Sequence, residues 1–169
     1  MSISASLLPE FDQEMANLRK TLERVPDGKF DWKPHPKSNN MGWLANHLAN
    51  LPSWMEFTLS QDSLDVMPAN GDAYKEPKAD NTAGIVAQLD KNVAAARQAL
   101  QSATDEQLMK PWSLLKGGQP IFTMPRIAVL RGMVMNHMIH HRAQMTVYLR
   151  MNDVPVPALY GPSADEGSF

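Results

Sequence analysis

The sequence predicts an all-α protein, a four-helix bundle with long connections. Three observations predict it. Four stretches of roughly 20 residues carry apolar side chains at spacings of three and four. No stretch alternates apolar and polar residues long enough to argue for a sheet, apart from one candidate hairpin between the third and fourth helices. The chain, 169 residues without a cysteine, is long enough to bury a real core without disulfide staples. One domain over residues 1–169 is expected, with residues 152–169 as an irregular tail.

The first helix is read over residues 7–25 from the row Leu7, Leu8, Phe11, Met15, Leu18, Leu22 and Val25, and Pro26-Asp27-Gly28 stops it. Residues 30–38 hold Pro34 and Pro36 and form a connector, in which His35 is expected to be solvated. The second helix starts at Ser38, Asn39 or Asn40, each a good cap. Its face runs Met41, Leu44, His47/Leu48, Leu51, Met55 and Leu59. Pro52 falls inside this pattern; it lacks an N–H and crowds the Leu48 carbonyl, so it predicts a kink or a break, with or without a cavity beside His47. Residues 61–80 are polar and turn-rich and read as a long connection. The third helix opens at Asn81 or Thr82 and ends near Thr104 on the stripe Ile85, Val86, Leu89, Val93, Ala96 and Leu100. Residues 105–109 fit one short turn. Residues 112–123 contain Gly117-Gly118 and read as a small hairpin or an ordered loop. The last helix begins around Met124-Pro125-Arg126, with Pro125 at its first position, and ends near Met151.

Three of the five histidines fall between His137 and His141. Positions four apart on a helix lie about 40° apart on one face. His137 and His141 are such a pair, and they continue the stripe of Ile127, Leu130 and Val134 toward Met145 and Tyr148. Both are expected to point at the core, with His140 at its edge or outside. His47 sits among Leu44, Leu48 and Leu51 and is expected to face inward too. Buried imidazoles need partners, since an unpaired buried polar group costs about 1–3 kcal/mol. One divalent metal held by His47, His137 and His141 supplies them. No glutamate lies between the paired histidines in the manner of H-E-x-x-H, so a metalloprotease is not supported. Three protein ligands leave coordination positions open, the pattern of a catalytic site. Zinc or nickel is the expected ion, with iron, manganese or copper also compatible with the ligands. Glu56 and Arg142 are the nearest candidates in sequence for a base and for a carboxylate-binding group; the competing reading makes each a surface ion pair.

The net charge of -2, with mixed signs and no basic block, argues against a nucleic-acid partner. The longest uncharged stretch, residues 38–55, is too polar to span a membrane. The amino terminus has no secretory pattern, and cysteine is absent, so a cytoplasmic location is expected. The twelve methionines read as core filler, or as the lining of an adaptable apolar pocket.

The stretches GWLANHLANL and NHMIHHRAQMTVYLRMNDVPVPALYGPS resemble the DinB/YfiT-like family of metalloenzymes. The element H-x-x-H-H-R-x-Q, followed by Y-L-R and P-x-x-Y-G, carries most of that resemblance, which as helix order covers nearly the whole chain. The resemblance implies a four-helix bundle, often dimeric, and a divalent metal on three histidines matching His47, His137 and His141. It also implies an S-transferase or related thiol chemistry with a small-molecule substrate and a low-molecular-weight thiol. Isomerase relatives dependent on mycothiol carry a further carboxy-terminal domain, where this chain has a short tail; that activity is not implied. The expected function is therefore a metal-dependent transferase or hydrolase that activates a thiol or water toward a small electrophile. Two alternatives are a non-catalytic metal- or ligand-binding stress-related bundle, and an apolar bundle with packed histidines and no metal.

Overall fold

The structure, a computed structural model, describes residues 2–167. Helix α1 (Ile3–Leu22) begins before the expected residue 7, because its first amides find side-chain acceptors. Ser2 Oγ accepts from Ala5 N at 3.2 Å, and the Asp105 carboxylate accepts from Ile3 N at 2.8 Å. The expected second helix is divided into α2 (Met41–Asn50) and α3 (Ser53–Ser60). Pro52 causes the division, and side chains collect two carbonyls at the break. Asn92 Nδ2 donates to Ala49 O at 2.9 Å, and Ser53 Oγ donates to Asn50 O at 2.7 Å. Helix α4 (Thr82–Ser102) starts on the Asn81 cap, and α5 (Asp105–Met109) is the short turn expected there.

The all-α expectation needs correction: the fold is mostly helical but includes a three-stranded sheet. Strands β2 (Pro111–Lys116) and β3 (Gln119–Pro125) form the antiparallel hairpin. Its turn uses Gly117 and Gly118 at φ 60° and 75°, both in the region that glycine enters without steric cost. Strand β1 (Ser63–Asp65), inside the long connection, pairs parallel to β2. Three residues are too few to leave an alternation in the sequence. The Asp65 carboxylate locks this corner by accepting from Gly117 N at 3.1 Å and Gly118 N at 2.7 Å.

The last rod comprises α6 (Arg126–Val129), a π-helical segment (Leu130–Asn136) and α7 (His137–Arg150). Pro125 caps this rod instead of opening it, since it still belongs to β3. The main core joins Phe11, Leu18 and Leu22 of α1, Leu44 and Leu48 of α2, Ile85, Leu89 and Ala96 of α4, and Val134, Met138 and Leu149 of the last rod. Each buried aliphatic side chain contributes about 1.5–3 kcal/mol relative to exposure. A smaller cluster around Trp112, Leu114 and Val129 packs beneath the sheet. Six methionines, Met15, Met41, Met55, Met135, Met138 and Met145, are core residues, as the filler reading expects.

The buried row of the last rod is displaced from the expected one. Val134, Met138, Arg142, Met145 and Leu149 are buried, whereas His137, His141 and Tyr148 are only partly so. The π segment explains this. Its hydrogen bonds reach five residues back, so it holds an extra residue per turn, and the inward face moves one position along the chain. Arg142 is thereby carried inside. It pairs with Glu14 at 2.6 Å and donates to Glu14 O at 3.0 Å. Tyr160 of the tail places its hydroxyl between the two, accepting from Arg142 and donating to Glu14. The surface ion pair expected for Arg142 is thus a buried one, and the tail is strapped to α1 and α7. Ser168 and Phe169, the last residues of the expected tail, lie outside the described residues.

Arg142→Met leaves the Glu14 carboxylate buried without its cation. The expected loss of stability is about 3–5 kcal/mol, read as a lower urea midpoint. An unchanged midpoint would show that the pair adds nothing to the bundle.

Candidate metal centre

Two helices position the site. On α2, His47 follows Trp43 by one turn, and the two rings stack with centroids 4.9 Å apart and planes 17° apart. On α7, His137 and His141 are likewise one turn apart. The rings of His47 and His137 approach to 5.2 Å between centroids, and those of His47 and His141 to 5.0 Å. One ring nitrogen of each residue lies within 4.8 Å of the others, close enough to be shared by one ion. The histidines sit at the rim of the core, not in it as expected; the His47 side chain is 14% exposed. His140 is exposed and only edges His141. His35 is exposed in its connector and accepts from Lys37 N.

Each Nδ1 of the cluster has its own acceptor. His47 Nδ1 lies 3.0 Å from a Glu76 oxygen. His141 Nδ1 lies 2.7 Å from Gln144 Oε1. His137 Nδ1 lies 3.3 Å from Met133 O. The last contact lies within the irregular helix, where the His137 amide bonds Val134 O and the ring reaches the Met133 carbonyl. Carboxylates and carbonyls only accept, so they keep the proton of a neutral ring on Nδ1 and leave Nε2 as a lone pair.

His137 Nε2 and His141 Nε2 then face each other at 2.8 Å. Two lone pairs at that distance repel unless something positive lies between them. The donor set therefore fits a metal ion: one nitrogen from each of three imidazoles converges, Nε2 in His137 and His141, and a hydrogen bond orients each ring. Burial pushes the His137 imidazole below its ordinary value, and the neighbouring His141 and His47 rings push it the same way. Burial also lowers His141, with Gln144 opposing and the His47 and His140 rings adding to the shift. All of this favours the neutral, ligating form.

Glu56 and Arg142 are not gathered into this cluster. Glu56 is exposed on α3, and Arg142 turns to α1 and the tail. The sequence reading missed Trp43, Gln144, Met133 O and Glu76. Trp43 and Gln144 were visible in principle, one helical turn from His47 and His141. Glu76 lies in the long connection, where no period marks it. Trp43 divides two clefts beside the cluster. One of about 220 Å³ is lined by Lys37, Asn39, Trp43, His141, Gln144 and Tyr148. The other, of about 280 Å³, is lined by residues including Asp31, Asn40, Trp43, Glu76 and Lys78.

A mostly helical bundle with three convergent imidazoles between its second and last rods defines a protein equipped for a three-histidine metal centre. The family follows from the sequence comparison. The DinB superfamily profile matches residues 10–145, and the chain belongs to that superfamily. Its fold is similar to that of a DinB-like protein from Bacillus cereus ATCC 10987, with a TM-score of 0.71 at 24% identity, covering 94% of this chain and 98% of that one. It is also similar to the DinB-like protein YjoA of Bacillus subtilis, with a TM-score of 0.65 at 17% identity, covering 90% and 96%. No curated protein matches the sequence. Among the described residues, no helix is long and apolar enough to cross a membrane.

Two outcomes are expected. Protons compete with a metal for imidazole, and both α7 rings are held below their ordinary value of about 6.5. Zinc should therefore stay bound at pH 6.5 and leave as the pH falls further, as read by equilibrium dialysis; release already complete at pH 7 would contradict the assignment. The same sign applies to the metal-free fold. Its depressed rings stabilise it above about pH 6.5, and that contribution is lost as the pH drops. Separately, Gly132 has no neighbour within 4 Å of the point where a Cβ would stand, so its removal disturbs little packing directly. Deleting it should return the π segment toward regular α-helix, because the extra residue is removed with it, and leave both histidines facing His47. Helix content by circular dichroism and zinc retention should both persist; loss of zinc with the fold intact would contradict this account of the π segment as one extra residue taken up in the helix.

Proposed function

We propose that this protein is a metal-dependent transferase or hydrolase acting on a small electrophile. The observation that carries the reading is the convergence of three ring nitrogens, one each from His47, His137 and His141, beside clefts that admit a small substrate. Three imidazoles suit zinc or nickel. When bound, such an ion supplies Lewis acidity that lowers the pKa of a thiol or water beside it. The chain's own residues do the rest. The three histidines hold the ion with neutral rings, and Gln144 and the Met133 carbonyl keep the α7 rings turned toward it. The Trp43 indole covers His47 from one side. Lys37 lines the cleft that reaches His141, so an anionic substrate group is favoured there. A low-molecular-weight thiol is the expected co-substrate.

A second reading, a non-catalytic metal- or ligand-binding bundle, is favoured by a different observation. The acid–base candidates are committed elsewhere: Arg142 to Glu14, Glu76 to His47, and Glu56 to solvent.

Thiol consumption with a panel of small electrophiles separates the two. The metal-loaded protein should accelerate at least one thiol–electrophile reaction, and His137→Ala should return the rate to the metal-free background. Tight zinc retention without turnover under any metal loading would favour the binding protein. Elemental analysis showing no metal in wild type or in His47→Ala would exclude both metal readings.

A further inference from the structure

The long connection after β1 has one feature that neither its length nor its composition explains. It is held on both sides of one acidic residue, clamped to α2 after it and anchored to Val66 and α3 before it. Asn46 grips Ala79 with both ends of its amide: Ala79 N donates to Oδ1 at 2.7 Å, and Nδ2 donates to Ala79 O at 3.0 Å. One turn later, Asn50 Nδ2 donates to Pro77 O at 2.8 Å. Both asparagines are buried, and each also donates to a backbone carbonyl of α2 itself, Gly42 O and Asn46 O. Their rotamers are therefore set before the connection arrives. Upstream, Tyr74 N donates to Val66 O at 3.0 Å, and the Tyr74 ring packs edge-on against Trp54 and Phe57. Between these anchors stands Glu76. Pro77 follows it and restricts its backbone to extended conformations.

The clamps come from the helix that carries His47, and Asn46 is the residue before it. The position of residue 76 relative to the His47 ring is thus fixed by α2 after it and by the Tyr74 anchors before it. Both Glu76 oxygens lie near His47 Nδ1, at 3.0 Å and 3.3 Å, with the carboxylate 23% exposed. With Glu76 at Nδ1, Nε2 is the nitrogen left to meet the α7 histidines.

We propose that Glu76 is the positioning residue for His47: carried by the strap that Asn46 and Asn50 clamp to α2, its carboxylate keeps the ring proton on Nδ1 and turns Nε2 toward His137 and His141. The consequence for metal affinity rests on the metal-centre reading above; the effect on the ring does not. A carboxylate behind a ligating imidazole also raises its basicity, and losing such a partner typically weakens metal binding about 10- to 100-fold. The simpler role for the same contact is a latch, in which His47 holds the strap and the strap does nothing for His47.

The test uses the full chain as wild type, Glu76→Gln, Glu76→Ala and Asn50→Ala. The ring tautomer of His47 is read in metal-free protein from long-range nitrogen–proton NMR correlations. Zinc affinity is read by competition with a chromophoric chelator, and thermal unfolding of the metal-free forms provides the control. The expected result is a His47 ring protonated on Nδ1 in wild type and mixed between tautomers in Glu76→Ala. Zinc affinity should fall about 10- to 100-fold in Glu76→Ala and Glu76→Gln, with a smaller fall in Asn50→Ala. A wild-type tautomer and wild-type affinity in both Glu76 variants, with only a lower melting temperature, would overturn the proposal in favour of the latch. If wild type binds no zinc, the metal reading fails alone: a tautomer change in Glu76→Ala would still support the proposal, and an unchanged tautomer would overturn it.

Discussion

Three imidazole rings bring one nitrogen each to within 4.8 Å of the others on the seam between α2 and α7, and much of the surrounding structure serves to keep them there. Left to themselves, His137 and His141 would not face each other nitrogen to nitrogen at 2.8 Å. Each would take a proton on Nε2 or turn toward water. Acceptors on the opposite side of each ring prevent this: a carboxylate for His47, an amide oxygen for His141 and a backbone carbonyl for His137. The two α7 rings are half-buried, which weakens their protonation further. Neutral rings held in this way present lone pairs to one point, which is how a protein prepares a cation site before the cation arrives.

Two departures from regular helix make this arrangement possible. The π segment before α7 rotates the buried face by one residue, so that Arg142 goes inside and the histidines come to the rim. The His137 ring contacts the Met133 carbonyl within this segment's reach. Such segments are often found at functional sites, because an irregular turn is less stable than the helix it interrupts and persists only where something depends on it. The break at Pro52 does a related job on the other helix. It ends α2 shortly after His47, and the side chains of Asn92 and Ser53 collect the carbonyls around it.

The buried Arg142–Glu14–Tyr160 group stands apart from this chemistry. It sits one residue after a histidine of the cluster, but its guanidinium faces α1 and the tail. Burial and the Glu14 contact raise the Tyr160 phenol above its ordinary value, so it stays protonated and donates. This polar junction makes the last rod, the first helix and the tail settle in one relative position, and through α7 it fixes the depth at which the two histidines sit.

The four helical rods, the long connections between them and the three histidines that meet are legible in the sequence alone. Each of these is a periodic or local signal: Leu44, His47, Leu48 and Leu51 repeat at helical spacing, Gly117-Gly118 marks a turn, and His137 and His141 lie one turn apart. The break at Pro52 is legible too, because a missing N–H is a property of one residue. Everything else waited on the folded chain. A three-residue strand, β1, exists because β2 lies beside it, and no pattern within Ser63–Asp65 could announce that. The π register depends on packing along the whole last rod, so a sequence read at 3.6 residues per turn places His137 and His141 in the core and Arg142 outside. Glu76 reaches His47 across 29 residues, through clamps that form only when the chain folds back on α2. The choice of Nε2 as the convergent nitrogen follows from those acceptors, and an acceptor brought in from distant sequence leaves no trace in the spacing of the histidines themselves.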